Sequence, residues 1–279
     1  MKFGFKKVKG YSFLRGVGIP QLNQDSYYSV SNIDTTRTEL VSYGRLYNWY
    51  AVDSGKLAPE GWHIPTDEEW KTLEKELGMS EAEADTEGTS PRGTNEGSKL
   101  AGNSTKWTFT DSGLEDNDAF GSSGMEILGA SYFTFNFGNL TEYTYIWTST
   151  EKNSTDGYFR QLAHQSSGVY RNSIEKYVGG SVRCIKDDSN EPSSKTVTDE
   201  DGNVYDTIKI GDQVWMGQNL ATTKYNDGTD IVNETDNSTW INLTSGAYRN
   251  HGDTLDGVFL SIAGLLKDQV SFRHIPIIS

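Results

Sequence analysis

A chain of 279 residues is long enough for one large domain or two small ones with a substantial core. Its abundant glycine and aromatic residues and its few long apolar runs argue against a helical bundle or a membrane-spanning helix, and for short strands joined by turns. With 25 Lys plus Arg against 39 Asp plus Glu the formal net charge is −14, which argues against nucleic-acid binding by the body of the protein.

The charge is uneven. Residues 1–42 read as a leader in which Lys2, Lys6, Lys7, Lys9 and Arg15 precede the first acidic residue, Asp25; the remainder holds 20 basic against 39 acidic residues, or −19. A basic leader on an acidic body reads either as a docking arm for another surface or as an ordinary flexible terminus. Tyr11-Ser-Phe-Leu-Arg15 is too short and interrupted for the core of a secretory signal, so none is expected.

From Tyr43 onward the body begins. Thr66-Asp-Glu-Glu69 is a capping box, Trp70, Leu73 and Leu77 follow on one face, and Gly78 supplies the stop, so a helix is predicted there. Residues 79–96 read as an acidic loop and 97–102 as one helical turn. Strands are predicted at Tyr132–Phe137, Tyr143–Thr150, Gly157–Leu162, Val169–Arg171 and Ser181–Ile185. In the last, Val182, Cys184 and Ile185 are expected inside, with Ser181 and Arg183 outward. A polar linker spans 187–196. A hairpin turning at Gly211-Asp212 joins Asn203–Ile210 to Asp212–Met216, and Asn226-Asp-Gly228 forms another turn. The tail, 251–279, is apolar, with a short amphipathic helix predicted at 258–270.

Several separate blocks carry a family resemblance. They are Tyr43-Gly-Arg-Leu-Tyr-Asn-Trp-Tyr-Ala51, Ala58-Pro-Glu-Gly-Trp-His-Ile-Pro-Thr-Asp-Glu-Glu-Trp70, Ser181-Val-Arg-Cys-Ile-Lys186, Asp201-Gly-Asn-Val-Tyr205 and Ile210-Gly-Asp-Gln-Val-Trp-Met-Gly-Gln-Asn-Leu220. Together they resemble the Fibrobacter succinogenes major paralogous domain. That resemblance implies an α+β, C-type-lectin-like fold of short twisted antiparallel strands, one clear helix and long loops, related to formylglycine-generating enzymes. In the family the Asp201 and Ile210 blocks come first, whereas here 197–250 follows 43–186. The inversion implies circular permutation or, alternatively, swapping between subunits of a homo-oligomer. Under permutation the new ends, Tyr43 and Asn250, feed attachment segments, and a binding face is expected on the far side.

The tryptophans Trp49, Trp62, Trp70, Trp147 and Trp215 are expected in the core. His63 has no evident ligand partners and reads as a hydrogen-bonded structural residue; His164, His251 and His274 are scattered. Cys184 is the only cysteine, which rules out an internal disulfide, and in an inner strand it reads as a small buried hydrophobe and not as a nucleophile. Glu191-Pro-Ser193 has only a superficial likeness to a calcium-lectin motif. Asp111, Glu115, Asp116 and Asp118 read as a solvated loop, with a structural cation there as the alternative. No metal or other cofactor is expected.

The richest candidate surface lies between residues 132 and 177. Tyr132, Tyr143, Tyr145, Tyr158, Tyr170 and Tyr177 stand among Asn, Ser, Thr and Gly, a composition suited either to ligand binding or to packing across a sheet. Aromatic faces beside amides also suit sugar rings. The expectation is a non-catalytic structural or adhesin protein of a bacteriophage virion, in a head or tail fibre or as decoration, assembled in the host cytoplasm. Its expected partners are other virion proteins and a cell-surface glycan or protein receptor. The alternatives are a bacterial surface or secreted glycan-binding module and, third, an enzyme of the formylglycine-generating kind.

Overall fold

The computed structural model describes residues 42–108, 112–187 and 194–251. The docking-arm residues Lys2, Lys6, Lys7, Lys9 and Arg15, together with Asp111, Glu191-Pro-Ser193, His274 and the helix expected at 258–270, lie outside them. The described chain is an α+β fold of short, mostly antiparallel strands in three sheets. The first sheet places β11 (Ala247–Arg249) between β1 (Leu46–Tyr47) and β10 (Val232–Asn233). The second runs β2 (Trp62–His63), β6 (Ile185–Lys186), β9 (Gln213–Met216), β8 (Val204–Ile210), β7 (Thr196–Thr198). The third is β3 (Tyr143–Glu151), β4 (Asp156–Ala163), β5 (Ser166–Glu175) in sequence order.

Five helices accompany them among the described residues: α1 (Trp49–Val52), α2 (Asp67–Glu76), α3 (Glu81–Asp85), α4 (Glu96–Leu100) and α5 (Asn237–Trp240). The capping box of α2 forms as its sequence requires. The Thr66 hydroxyl accepts from the Glu69 N–H at 3.2 Å, and the Glu69 carboxylate accepts from the Thr66 N–H at 2.7 Å. Trp70 and Leu73 are fully buried on its inner face, and Gly78, at φ +117°, lets the chain turn away. Residues 79–96 are not simply a loop. Ser80 and Glu83 make a second capping box that starts α3, a signal present in the sequence but on a segment too polar to read as helix.

The expected strand at Tyr132–Phe137 does not form. Phe133 bridges both Phe137 and Gly179, so the segment folds back on itself. The expected strand Ser181–Ile185 is regular only at Ile185–Lys186, while Ser181 bridges Ile146. Ser181 and Arg183 are fully buried, not outward-facing, because the segment is covered on both sides. Arg183 donates to the carbonyl oxygens of Met125, Glu126, Met216 and Gly217 and to Asn219 Oδ1. One side chain thus ties residues from both halves of the chain. The β9 strand completes the same knot, since Trp215 pairs with Ile185 while its ring lies 5.0 Å from that of Trp70.

Trp49, Trp70, Trp147 and Trp215 are buried as expected, and Trp107 and Trp240 join them, whereas Trp62 is only half-buried. The indole N–H groups of Trp49 and Trp147 donate to the Thr148 and Tyr47 carbonyls at 3.0 and 2.9 Å, so these rings enter the core without an orphaned donor. Pairing of Leu46 with Arg249 and of Tyr47 with Tyr248 brings Tyr43 and Asn250 to one place, where Arg45 Nε donates to Asn250 Oδ1 at 3.1 Å.

The inner face of the β3–β5 sheet packs on α2 through charge as well as hydrocarbon. Asp67 and Glu74 of α2 face Arg160 of β4 and Arg171 of β5, and Arg92 closes on Glu74 at 2.8 Å. All five are buried.

Candidate ligand-binding face

Strand register sorts the six tyrosines. Tyr145 lies opposite Gln161, which lies opposite Tyr170, and Tyr143 lies opposite Ala163. Side chains alternate along a strand, so Tyr143, Tyr145, Gln161, Tyr170 and Asn172 share the face of the sheet turned away from α2, a face whose Trp147 and Phe159 are buried in the core, while Thr144, Ile146, Arg160 and Arg171 face α2. The three tyrosines and both amides are half-exposed. Tyr132 reaches this face from outside the sheet, its ring stacked on Tyr145 at 4.2 Å and 9°. Gly138 permits that stack, because a Cβ there would sit 2.5 Å from the Tyr132 ring.

Tyr158 and Tyr177 do not belong to the face. Tyr158 has the opposite parity and spends its hydroxyl on Lys152 Nζ at 2.7 Å and Glu87 Oε2 at 3.0 Å. Tyr177 follows β5; its carbonyl accepts from Trp240 Nε1 at 2.6 Å and its ring packs against the core. Gln161 and Asn172 were missed by composition alone, although alternation in β4 and β5 would have found them.

The face differs in kind from open aromatic platforms. Tyr145 is held between Tyr132 and Phe159, the latter at 4.6 Å, so both of its ring faces are occupied. Tyr143 meets the buried His164 edge-on at 6.3 Å. Burial, with Tyr132 and Tyr143 alongside, pushes the Tyr145 hydroxyl up to about 12, and burial likewise raises Tyr170. The Tyr145 and Tyr170 hydroxyls are therefore neutral donor–acceptor groups at physiological pH.

The expectation of a face far from the chain ends is corrected. Phe137, in the same folded-back segment as Tyr132, lies 6.3 Å from the His251 ring, and His251 lies 5.8 Å from Tyr43. The ends of the described body therefore leave it near one edge of the tyrosine face.

Other sequence candidates resolve as follows. His63 is pinned by two carboxylates, Nδ1 to Asp187 Oδ1 at 2.6 Å and Nε2 to Glu69 Oε1 at 2.9 Å. Cys184 is fully buried, and burial pushes its thiol well above the usual range, which disfavours a thiolate. Glu115 is raised by burial and by neighbouring Asp116. Among the described residues no group of three or more His, Cys, Asp or Glu side chains gathers in a metal-holding arrangement. Among them, too, no helix is long and apolar enough to cross a membrane.

Residues 8–186 match the family model described as Fibrobacter succinogenes major domain. The match begins inside the segment read as a leader and stops before the 203–216 hairpin. No curated protein and no solved structure matches the chain.

Proposed function

The chain belongs to the Fibrobacter succinogenes major domain family, and on that premise we propose that it is a non-catalytic structural or adhesin protein of a bacteriophage virion. It would sit in a head or tail fibre or as decoration, presenting a lectin-like domain to a host-surface glycan or protein receptor. The observation that carries the binding part of this reading is the face of β3–β5 turned away from α2, where Tyr132, Tyr143, Tyr145 and Tyr170 stand half-buried with Gln161 and Asn172. Tyrosine gives contact area at low rotamer cost, and amides adapt their hydrogen bonds, so such a face suits recognition more than chemistry. The virion part is supported by charge: five basic residues precede Asp25, against −19 on the rest. This leader is the proposed docking arm, with other virion proteins as its partners and a homo-oligomer as the assembled form.

Mass spectrometry of purified particles tests the location directly. Deleting residues 1–24 is expected to remove the protein from particles while the body keeps its melting temperature. A truncated protein that still assembles normally would end the docking-arm reading.

A further inference from the structure

We propose that His63 is a proton-operated latch on the end of β6, holding Asp187 when protonated and releasing it when neutral. The geometry brings three elements together at one imidazole. His63 ends β2, Glu69 lies in the first turn of α2, and Asp187 is the first residue after β6. Both ring nitrogens face carboxylate oxygens, at 2.6 and 2.9 Å, and only an imidazolium can donate to both at once. A neutral ring donates through one nitrogen and turns a lone pair toward the other carboxylate.

Asp187 is the partner that leaves. Glu69 is anchored independently, because its second oxygen accepts from the Thr66 N–H at 2.7 Å and the Thr66 hydroxyl at 2.8 Å. Its carbonyl also accepts from Gln213 Nε2 at 3.1 Å. Asp187, with its side chain 53% exposed against 31% for Glu69, has water as a ready replacement. β6 itself is paired with β2, at Trp62–Lys186 and His63–Ile185, and with β9 at Ile185–Trp215, and beyond it the Asp187 N–H donates to the Gly61 carbonyl at 3.0 Å. The charged groups around the ring are thus Glu69 on α2, Asp187 after β6 and, one register pair away, Lys186. Gln213 is the neutral neighbour from β9.

The sign follows from the same contacts. The Glu69 hydrogen bond raises His63 most; burial opposes it, Asp187 adds to it, and the net result is a shift from 6.5 to about 8. A raised histidine contributes stability fully below its unfolded value and loses it as pH climbs through the folded one. Burial pushes Glu69 up, but hydrogen bonds from His63 and Thr66 bring it net below its ordinary value, so its share is lost only in acid. The latch is therefore closed at pH 6 and open at pH 9.

Limited proteolysis of the 187–196 connection in the full chain, at pH 6 and pH 9, reads the latch, with each rate normalised to cleavage of an unstructured peptide of the same sequence. The wild type is expected to be cut about tenfold faster at pH 9 than at pH 6 after that correction, a shift of about 1.4 kcal/mol in opening. His63→Gln and Asp187→Asn should each be cut at the faster rate at both pH values. Asp187→Asn keeps the test alive if His63→Gln folds poorly. Equal normalised rates for the wild type at the two pH values, or a pH response that persists in both variants, overturns the proposal.

Discussion

Replacing Asp67 with alanine should destabilise the protein by about 3–5 kcal/mol, the range for removing one partner of a buried ion pair. The carboxylate receives Arg160 Nη1 at 2.6 Å and Arg171 Nη2 at 2.7 Å, with Arg171 Nε at 3.0 and 3.1 Å from its two oxygens. Truncation leaves two largely buried guanidiniums facing each other without their shared carboxylate. Glu74 serves Arg160 and Arg92 through Oε1 and makes no hydrogen bond to Arg171, so Arg171 loses the carboxylate it pairs with. Burial pushes the Asp67 carboxyl up, yet Arg171 and Arg160 overcome it and hold it at about 2. Its contribution is consequently intact above its ordinary value of 3.8 and fades only as pH falls through 2. Urea unfolding at pH 7 measures the loss, and Asp67→Ala/Arg160→Ala should cost less than the two single changes summed. A single-variant loss under about 1 kcal/mol would mean that the cluster relaxes or hydrates without penalty.

Arg183→Met is expected to cost about as much, roughly 3–5 kcal/mol, because several buried carbonyl oxygens lose their donor together. Here no carboxylate is at stake. Arg183 Nη1 donates to Met125 O at 2.6 Å and Met216 O at 3.2 Å, Nη2 to Glu126 O at 3.0 Å, and Nε to Asn219 Oδ1 at 2.7 Å. Met125 and Glu126 belong to the first half of the fold, and residues 216–219 to the second. Arg183→Lys should rescue little, since an ammonium is a point donor and cannot span the fork of acceptors. Amide exchange should show protection lost on both sides of the knot, around 125–127 and 214–220, not on one. Protection lost at only one of them would show that Arg183 supports that half alone.

Local signals were legible in the residues themselves. The α2 cap at Thr66, its stop at Gly78, the hairpin turn at Gly211-Asp212 and the strands expected at 143–150 and 157–162, each found within a residue at either end, depend on signals a few residues apart. The family was equally legible, because its blocks are contiguous. Of the six candidate tyrosines, Tyr132, Tyr143, Tyr145 and Tyr170 come together in the structure, while Tyr158 and Tyr177 lie apart from them. A side chain's facing depends on strand parity, and parity has meaning only once the register is known.

What lay beyond the sequence was set by contacts between distant residues. Arg183 looked like the outward member of an alternating strand, and its burial depends on acceptors 33 to 58 residues away in the chain. Of the two partners of His63, Glu69 is six positions away, but Asp187 is 124 positions distant and only the fold brings it to the ring. Tyr145 suited either ligand binding or packing across the sheet, and in the structure Tyr132 and Phe159 occupy both faces of its ring. Composition, capping and turn chemistry thus determined the short strands and the principal helix, since those follow from short-range hydrogen bonding and hydrophobic patterning, while the contiguous motif blocks carried the family and, through it, the α+β class. Only the tertiary structure decided which polar groups are buried and paired, because a polar group can enter the core only where a partner from elsewhere in the chain arrives to replace water.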